Sequence, residues 1–148
     1  MPTLESAART DSGLASELRM SVARFSRRLR AEREPDNPLS VAALSALGVV
    51  FREGECTIGA LAAHERVQPP SMTRTVNCLH DGGYVARRRH ESDGRQVVVG
   101  LSEKGVATLA ADRRRRDAWL AQRLRELTPA ERAVLRQAAP LLERIAQT

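Results

Sequence analysis

The chain has 148 residues, 42% of them hydrophobic, and a formal net charge of +6 at neutral pH. That length and apolar content fit one domain with its own core and exclude wholesale disorder. The basic balance, with a pI near 10.8, favours a polyanionic partner, although arginine richness alone does not decide between that and a merely basic composition.

Aromatic residues make up only 3%, so Leu, Val, Ala and Ile must build the core, which suits packed helices. The two cysteines, Cys56 and Cys78, have no paired-motif spacing. They point to a reducing compartment rather than a disulfide framework. Met1 to Arg9 lacks the apolar core of a signal peptide, and no run approaches the ~18 apolar residues of a membrane span. A cytoplasmic protein with no membrane partner is the expectation.

Residues 1–10 are polar and expected to be loose. Asp11 or Ser12 can cap a first helix, on which Leu14, Leu18, Val22, Phe25 and Leu29 form one apolar stripe. Glu34-Pro35-Asp36-Asn37-Pro38 stops it. Ser40 caps a second helix, clamped at its start by Leu39 and Leu44 and ended by Gly54. The surface of this helix is small or apolar nearly all round, which predicts burial on several sides. Thr57 caps a short third helix to about Arg66, and Val67 fills the turn.

A fourth helix starts at Gln68-Pro69-Pro70-Ser71, where the prolines suit a first turn, and runs to about His80. Met72, Val76 and Leu79 form its inward face; Ser71, Thr73, Arg74 and Asn77 point elsewhere. Asp81-Gly82-Gly83 breaks it. Tyr84 to Arg89 and Gln96 to Leu101 read as two strands joined through Ser92-Asp93-Gly94. Ser102 caps a long fifth helix reaching Leu124 or beyond. Thr128-Pro129-Ala130-Glu131 opens a sixth with a capping box, and Pro140 should kink it.

These elements outline a winged helix-turn-helix, in a mainly α (α+β) fold. A helix of this kind fits the major groove, and its first turns reach base edges. Small residues at the start of the fourth helix let its backbone approach a duplex. Arg74 has the fork geometry for guanine or phosphate, and Ser71 and Thr73 can donate to either. Taken alone, this helix also reads as an ordinary surface helix. The hairpin adds Arg87, Arg88, Arg89 and Arg95, with Gly94 allowing a tight tip from which Arg95 can enter a narrow minor groove. Asp93 is expected to pair with an arginine or the tip backbone and so aim Arg95.

Several motifs keep a second reading. Cys78 reads as a partly buried structural thiol, with an oxidation switch as the alternative. His64, His80 and His90 match no zinc spacing, so no metal and no cofactor is expected. Arg113-Arg114-Arg115-Arg116 cannot all share one solvated face, so at least one guanidinium should meet a carboxylate or a partner subunit. Trp119 is expected in the core or a dimer interface, with a ligand-pocket wall as the alternative. No catalytic motif appears, and an enzyme is not expected.

The run Thr57-Ile58-Gly59-Ala60-Leu61-Ala62, followed by Gln68 to Val76, resembles the helix-turn-helix of MarR-family transcriptional regulators. So do Gly83-Tyr84-Val85-Ala86-Arg87, the wing with Asp93-Gly94-Arg95, and Leu101-Ser102-Glu103-Lys104-Gly105. The resemblance runs from about Leu14 to the end. It implies a homodimer whose first and last two helices interlock, with two winged lobes on one palindromic operator in double-stranded DNA. It also implies that Pro70, Ser71, Thr73 and Arg74 face the major groove and Arg95 the minor groove, with Asp93 bracing the wing. Many members carry a second basic residue where this chain has Gly94.

The expected organisation is one domain over 1–148. Residues 11–34 and 102–148 would form a helical dimerisation region, and 40–101 the DNA-binding lobe. The expected DNA-binding residues are Pro70, Ser71, Thr73, Arg74, Asn77, Arg89, Asp93, Gly94 and Arg95. The expected function is sequence-specific transcriptional regulation, as a repressor released by a small-molecule effector. The effector would sit between the dimer helices and the lobe, lined by the first, second and early fifth helices. Two alternatives stay open: an architectural protein binding DNA without sequence preference, and a helical interaction module that does not bind DNA.

Overall fold

Local chemistry sets most of the boundaries in a computed structural model, which describes residues 10–148. Apart from Thr10, the loose start expected at residues 1–10 lies outside the described residues. In chain order the elements are α1 (Asp11–Ala31), α2 (Val41–Glu53), β1 (Cys56–Thr57), α3 (Ile58–Glu65), α4 (Pro69–Asp81), β2 (Val85–Arg89), β3 (Val97–Leu101), α5 (Glu103–Arg125) and α6 (Pro129–Ala146). Ser40, Thr57 and Thr128 each accept a backbone N–H of their helix's first turn, and Thr128 forms a full capping box with Glu131. The cap of α1 is Thr10, one residue before the expected Asp11, with its hydroxyl accepting from the Gly13 N–H. Gly54 ends α2 at φ 83°, a backbone region that costs a side-chain-bearing residue energy. Pro140 stays inside an unbroken α6.

The fold is mainly α with a small antiparallel sheet in the order β1-β3-β2, a winged helix. The third strand, β1, is an addition to the expected hairpin. It has two residues, with Cys56 opposite Val99 and Thr57 opposite Val98. In the hairpin, Val85 lies opposite Leu101, Arg87 opposite Val99 and Arg89 opposite Val97. The twofold period of a strand therefore puts Val85, Arg87 and Arg89 on one face and Ala86 and Arg88 on the other.

The chain divides into two compact units. Arg33–Arg114 forms one; the residues up to Glu32 and Arg115–Thr148 form the other. The first unit, the lobe, holds one continuous core: Ala43, Leu44, Ala46, Leu47, Val49 and Val50 of α2, Leu61 and Ala62 of α3, Met72, Val76 and Leu79 of α4, Val85 and Val99 of the sheet, and Leu109 of α5. The start of α5 lies so close to the Tyr84 carbonyl that a Cβ at Gly105 would collide with it, so only glycine fits there. Asp112 is buried and accepts the Glu34 N–H at 3.0 Å.

In the second unit, α1 and α6 hold no buried residue. Trp119 is half-buried, with the guanidiniums of Arg28 and Arg123 at 4.6 and 5.7 Å from its ring. Glu32 pairs with Arg28 at 2.7 Å and Arg115 at 3.9 Å, so one member of the four-arginine run does meet a carboxylate. Arg113, in the lobe, stacks instead on Phe51 at 4.2 Å. Among the described residues, no helix is long and apolar enough to cross a membrane.

Candidate nucleic-acid interface

The face of α4 opposite Met72, Val76 and Leu79 carries Pro70, Thr73, Arg74 and Asn77, all exposed, with Ser71 half-buried beside them. The Thr73 hydroxyl donates back to the Pro69 carbonyl at 3.0 Å. Its proton is therefore occupied, and it presents lone pairs and a methyl group rather than the donor expected of it. The Ser71 carbonyl accepts the Thr75 hydroxyl at 3.1 Å. Arg74 stands exposed on this face.

The wing tip is a turn in which the Gln96 N–H bonds to the Asp93 carbonyl at 3.0 Å. The Asp93 carboxylate accepts the Arg95 N–H at 3.1 Å, so its partner is the tip backbone, one of the two expected alternatives. His90 closes the base of the tip: its Nδ1 accepts from the Ser92 and Asp93 N–H groups, each at 3.2 Å. Two N–H donors at one ring nitrogen require that nitrogen to be unprotonated. Gly94 differs from expectation. Its φ lies outside the left-handed region and a Cβ there would meet nothing within 4 Å. The tight tip does not depend on glycine, because Asp93 and His90 organise it.

The hairpin arginines divide. Arg87 donates to the Asn77 side-chain oxygen of α4 at 2.5 Å. Arg88, on the opposite strand face, bonds to Glu55 at 2.8 Å, and that hydrogen bond, before the charge of Glu55, raises its pKa above the usual guanidinium value. Arg89 and Arg95 remain exposed toward the tip. Thr73 of α4 and Arg95 of the wing line one groove of about 320 Å³, together with Thr57, Ile58 and Gly59 at the start of α3, and Gln96 and Val97. Thr57 and Gln96 were not among the expected site residues. Thr57 was legible only as a cap, a role it also fills by accepting the Ala60 N–H at 3.0 Å.

Other candidates fall elsewhere. Cys78 is exposed on α4 rather than half-buried, because it follows Asn77 on the outward face; Cys56 is the half-buried thiol. Burial, and then the charge of Glu53, push the Cys56 thiol pKa up. His64 lies 3.7 Å from Glu53 and His80 3.7 Å from Asp81, so the histidines sit on separate elements. A second cleft in the lobe, of about 300 Å³, is lined by Glu34, Asp36, Asn37 and Pro38, by Tyr84, and by Lys104, Ala107, Thr108 and Ala111 of α5. Only the early part of α5 matches the expected pocket lining. Most of the apolar surface of α2 is consumed by the lobe's core, with Val41 and Phe51 left exposed.

A recognition-type helix and a wing facing one groove define a winged-helix DNA-binding regulator. The MarR family profile matches residues 39–97. An uncharacterized HTH-type transcriptional regulator of Mycobacterium bovis, Mb0904, is 50% identical over 90% of this chain and 92% of its own length. A solved structure of a Pseudomonas aeruginosa protein assigned as a transcriptional regulator is 35% identical, with a TM-score of 0.84, covering 93% of this chain and 96% of that one. The chain belongs to the MarR family of HTH-type transcriptional regulators, DNA-binding proteins of transcription control.

Two more distant structures share the fold. FabT of Streptococcus pneumoniae, in complex with DNA, has a TM-score of 0.68 at 21% identity, covering 93% of this chain and 98% of its own. BpsR of Bordetella bronchiseptica, whose DNA binding is regulated by 6-hydroxynicotinic acid, has a TM-score of 0.62 at 20% identity, covering 88% and 98%.

Proposed function

We propose that this regulator binds a palindromic operator as a homodimer and represses transcription until a small molecule releases it. In this reading α4 enters the major groove with Pro70, Ser71, Thr73 and Arg74. Arg95, aimed by Asp93, enters the minor groove, while Arg89 and Gly94 flank the backbone. The groove joining Thr73 to Arg95 carries the reading. It sets a face of α4, the N-terminus of α3 and the wing residue Arg95 along one space, as contact with neighbouring grooves of a duplex would require. Asn77 is left out of the contact set, because Arg87 occupies its amide oxygen. A bidentate reading of adenine needs that oxygen.

The dimer is supported by the exposed apolar stripes of α1 (Leu14, Leu18, Val22, Phe25) and α6 (Val134, Leu135, Leu141, Leu142, Ile145). Residues 11–34 and 102–148 would supply the interface, and 40–101 the DNA contacts. Two lobes would then meet half-sites about 10 base pairs apart. The cleft beside Tyr84 and Lys104 is the effector site in this reading, with a volume at the lower end of small-molecule pockets. An effector there acts only by binding the non-operator geometry more tightly. FabT's complex with DNA and BpsR's regulation by 6-hydroxynicotinic acid offer precedents within the fold.

The test is fluorescence anisotropy on DNA from the gene's own upstream region, beside a scrambled duplex, at several salt concentrations. Binding about 1000-fold tighter to the native duplex is the expected result. Arg74→Ala should cost about 1–3 kcal/mol at the operator. Equal binding to both duplexes, falling steeply with salt, would favour an architectural protein instead. No binding to either would favour an interaction module.

A further inference from the structure

The hairpin carries three consecutive arginines, Arg87, Arg88 and Arg89, and the DNA-contact reading accounts for only the last. The strand places Arg87 on the face it shares with Val85 and Val99, turned toward α4, where its guanidinium meets the side-chain oxygen of Asn77 at 2.5 Å. One residue later, Arg88 projects from the opposite face and meets Glu55, which precedes β1, at 2.8 Å. The Glu55 carboxylate also lies over Gly100, where a Cβ would approach it to 3.0 Å. The root of the wing is thus tied from both sides, once to the recognition helix and once to the segment leading into β1.

Without such ties the hairpin could swing. Its outer half extends beyond the core: Arg87, Arg88 and Arg89 are exposed, and the sheet's buried residues are Val85, Val98, Val99 and Gly100. A recognition helix and a wing tip that read two grooves of one duplex must hold a fixed separation. A looseness of about 1 Å degrades a constellation of this kind.

We propose that Asn77 and Arg87 are positioning residues, whose hydrogen bond sets the distance between α4 and the wing tip while neither side chain contacts DNA. Arg88 and Glu55 brace the other face. The assignment rests on the proposed placement of α4 in the major groove and the wing in the minor groove. It makes a distinct claim: Arg87 contributes geometry, and its charge is not spent on a phosphate.

Two measurements on the full chain test this. The first uses no DNA. A nitroxide on Gly94→Cys, with Cys56 and Cys78 replaced by serine, broadens the NMR signals of α4 amides according to the wing's distance. Asn77→Ala and Arg87→Ala should each blur that pattern in the same way, and the double variant should add nothing. An unchanged pattern in either variant would overturn the proposal, whatever the DNA results.

The second is the double-mutant cycle on the operator duplex. Each single variant should lose about 10-fold in operator affinity and much less on scrambled DNA, and the double variant about the same as either single. The salt slope should stay at the wild-type value in all three. A slope reduced by about 1 in Arg87→Ala would place Arg87 on a phosphate and overturn the proposal. Additive losses would mean that Asn77 and Arg87 act separately, and would overturn it too. If wild-type protein does not distinguish operator from scrambled DNA, the groove-reading model fails, and the nitroxide measurement still decides whether the latch exists.

Discussion

The lobe and the helical arms are built from similar residues and reach opposite states. In the lobe, α2 alone buries seven residues, and its apolar side chains meet those of α3, α4, the sheet and α5. In the arms, α1 and α6 have apolar stripes as regular as any in the lobe, yet Leu18, Phe25, Leu142 and Ile145 remain exposed. What the arms do hold internally is polar: the Arg28-Glu32-Arg115 pairs, the guanidiniums around Trp119, and Arg132 donating to the carbonyls of Leu124 and Leu127 that close α5. The lobe can therefore stabilise itself, whereas the arms carry apolar area whose burial requires another surface. The lobe has its core within itself, and the proposed dimer would supply the surface that the arms lack.

That contrast can be broken by mutation. The largest expected effect is in the lobe: Leu47→Ala, at a residue of 0% exposure, should cost about 3–4 kcal/mol. Urea unfolding should report that loss equally at low and high protein concentration. In the arms, Ile145→Glu should leave the lobe's circular-dichroism signature intact and shift sedimentation from dimer toward monomer. Its apparent melting temperature should then lose its dependence on protein concentration. An unchanged sedimentation profile would remove α6 from the assembly surface.

A smaller effect is expected at the wing, where Gly94 faces open space. Gly94→Lys should raise affinity for operator and scrambled DNA alike and steepen the salt slope by about 1. A loss of affinity would mean the tip packs too closely on DNA to accept a side chain.

The smallest effect contrasts the lobe's interior with its surface. The Cys56 thiol pKa is raised, first by burial and then by Glu53. A raised folded pKa means that its contribution to stability is complete below the ordinary thiol range and is lost as pH rises through the folded value. Mass-resolved alkylation should therefore label Cys78 before Cys56 at neutral pH, with Cys56 catching up only in alkali.

Features set by neighbours along the chain were legible from sequence; features set by distant partners were not. Ser40, Thr57 and Thr128 announce helix starts because a cap needs only the next three residues. Met72, Val76 and Leu79 announce a buried face because helical period is local. Strand β1 is two residues long and exists because Val98 and Val99 lie opposite, which no window around Cys56 reveals. The same holds for the site. Arg74 and Arg95 could be singled out from their motifs. The Arg87–Asn77 and Arg88–Glu55 pairs join residues 10 and 33 positions apart, and no local motif announces either. Gly94 misled for another reason: glycine in a turn suggests a backbone requirement, but the Asp93 carboxylate had already met it.

The start of α4 has a consequence for how the protein searches a genome. Helix N-termini commonly grip phosphates through free backbone N–H groups. Here Pro69 and Pro70 have none, and the Ser71 and Met72 N–H groups both bond to the Gln68 carbonyl at 3.0 and 3.2 Å. In the proposed docking, α4 would approach DNA with almost no backbone hold that works on every sequence alike. Away from its operator it should adhere weakly and leave quickly, so that dwell time is set by side chains matching bases rather than by the helix itself.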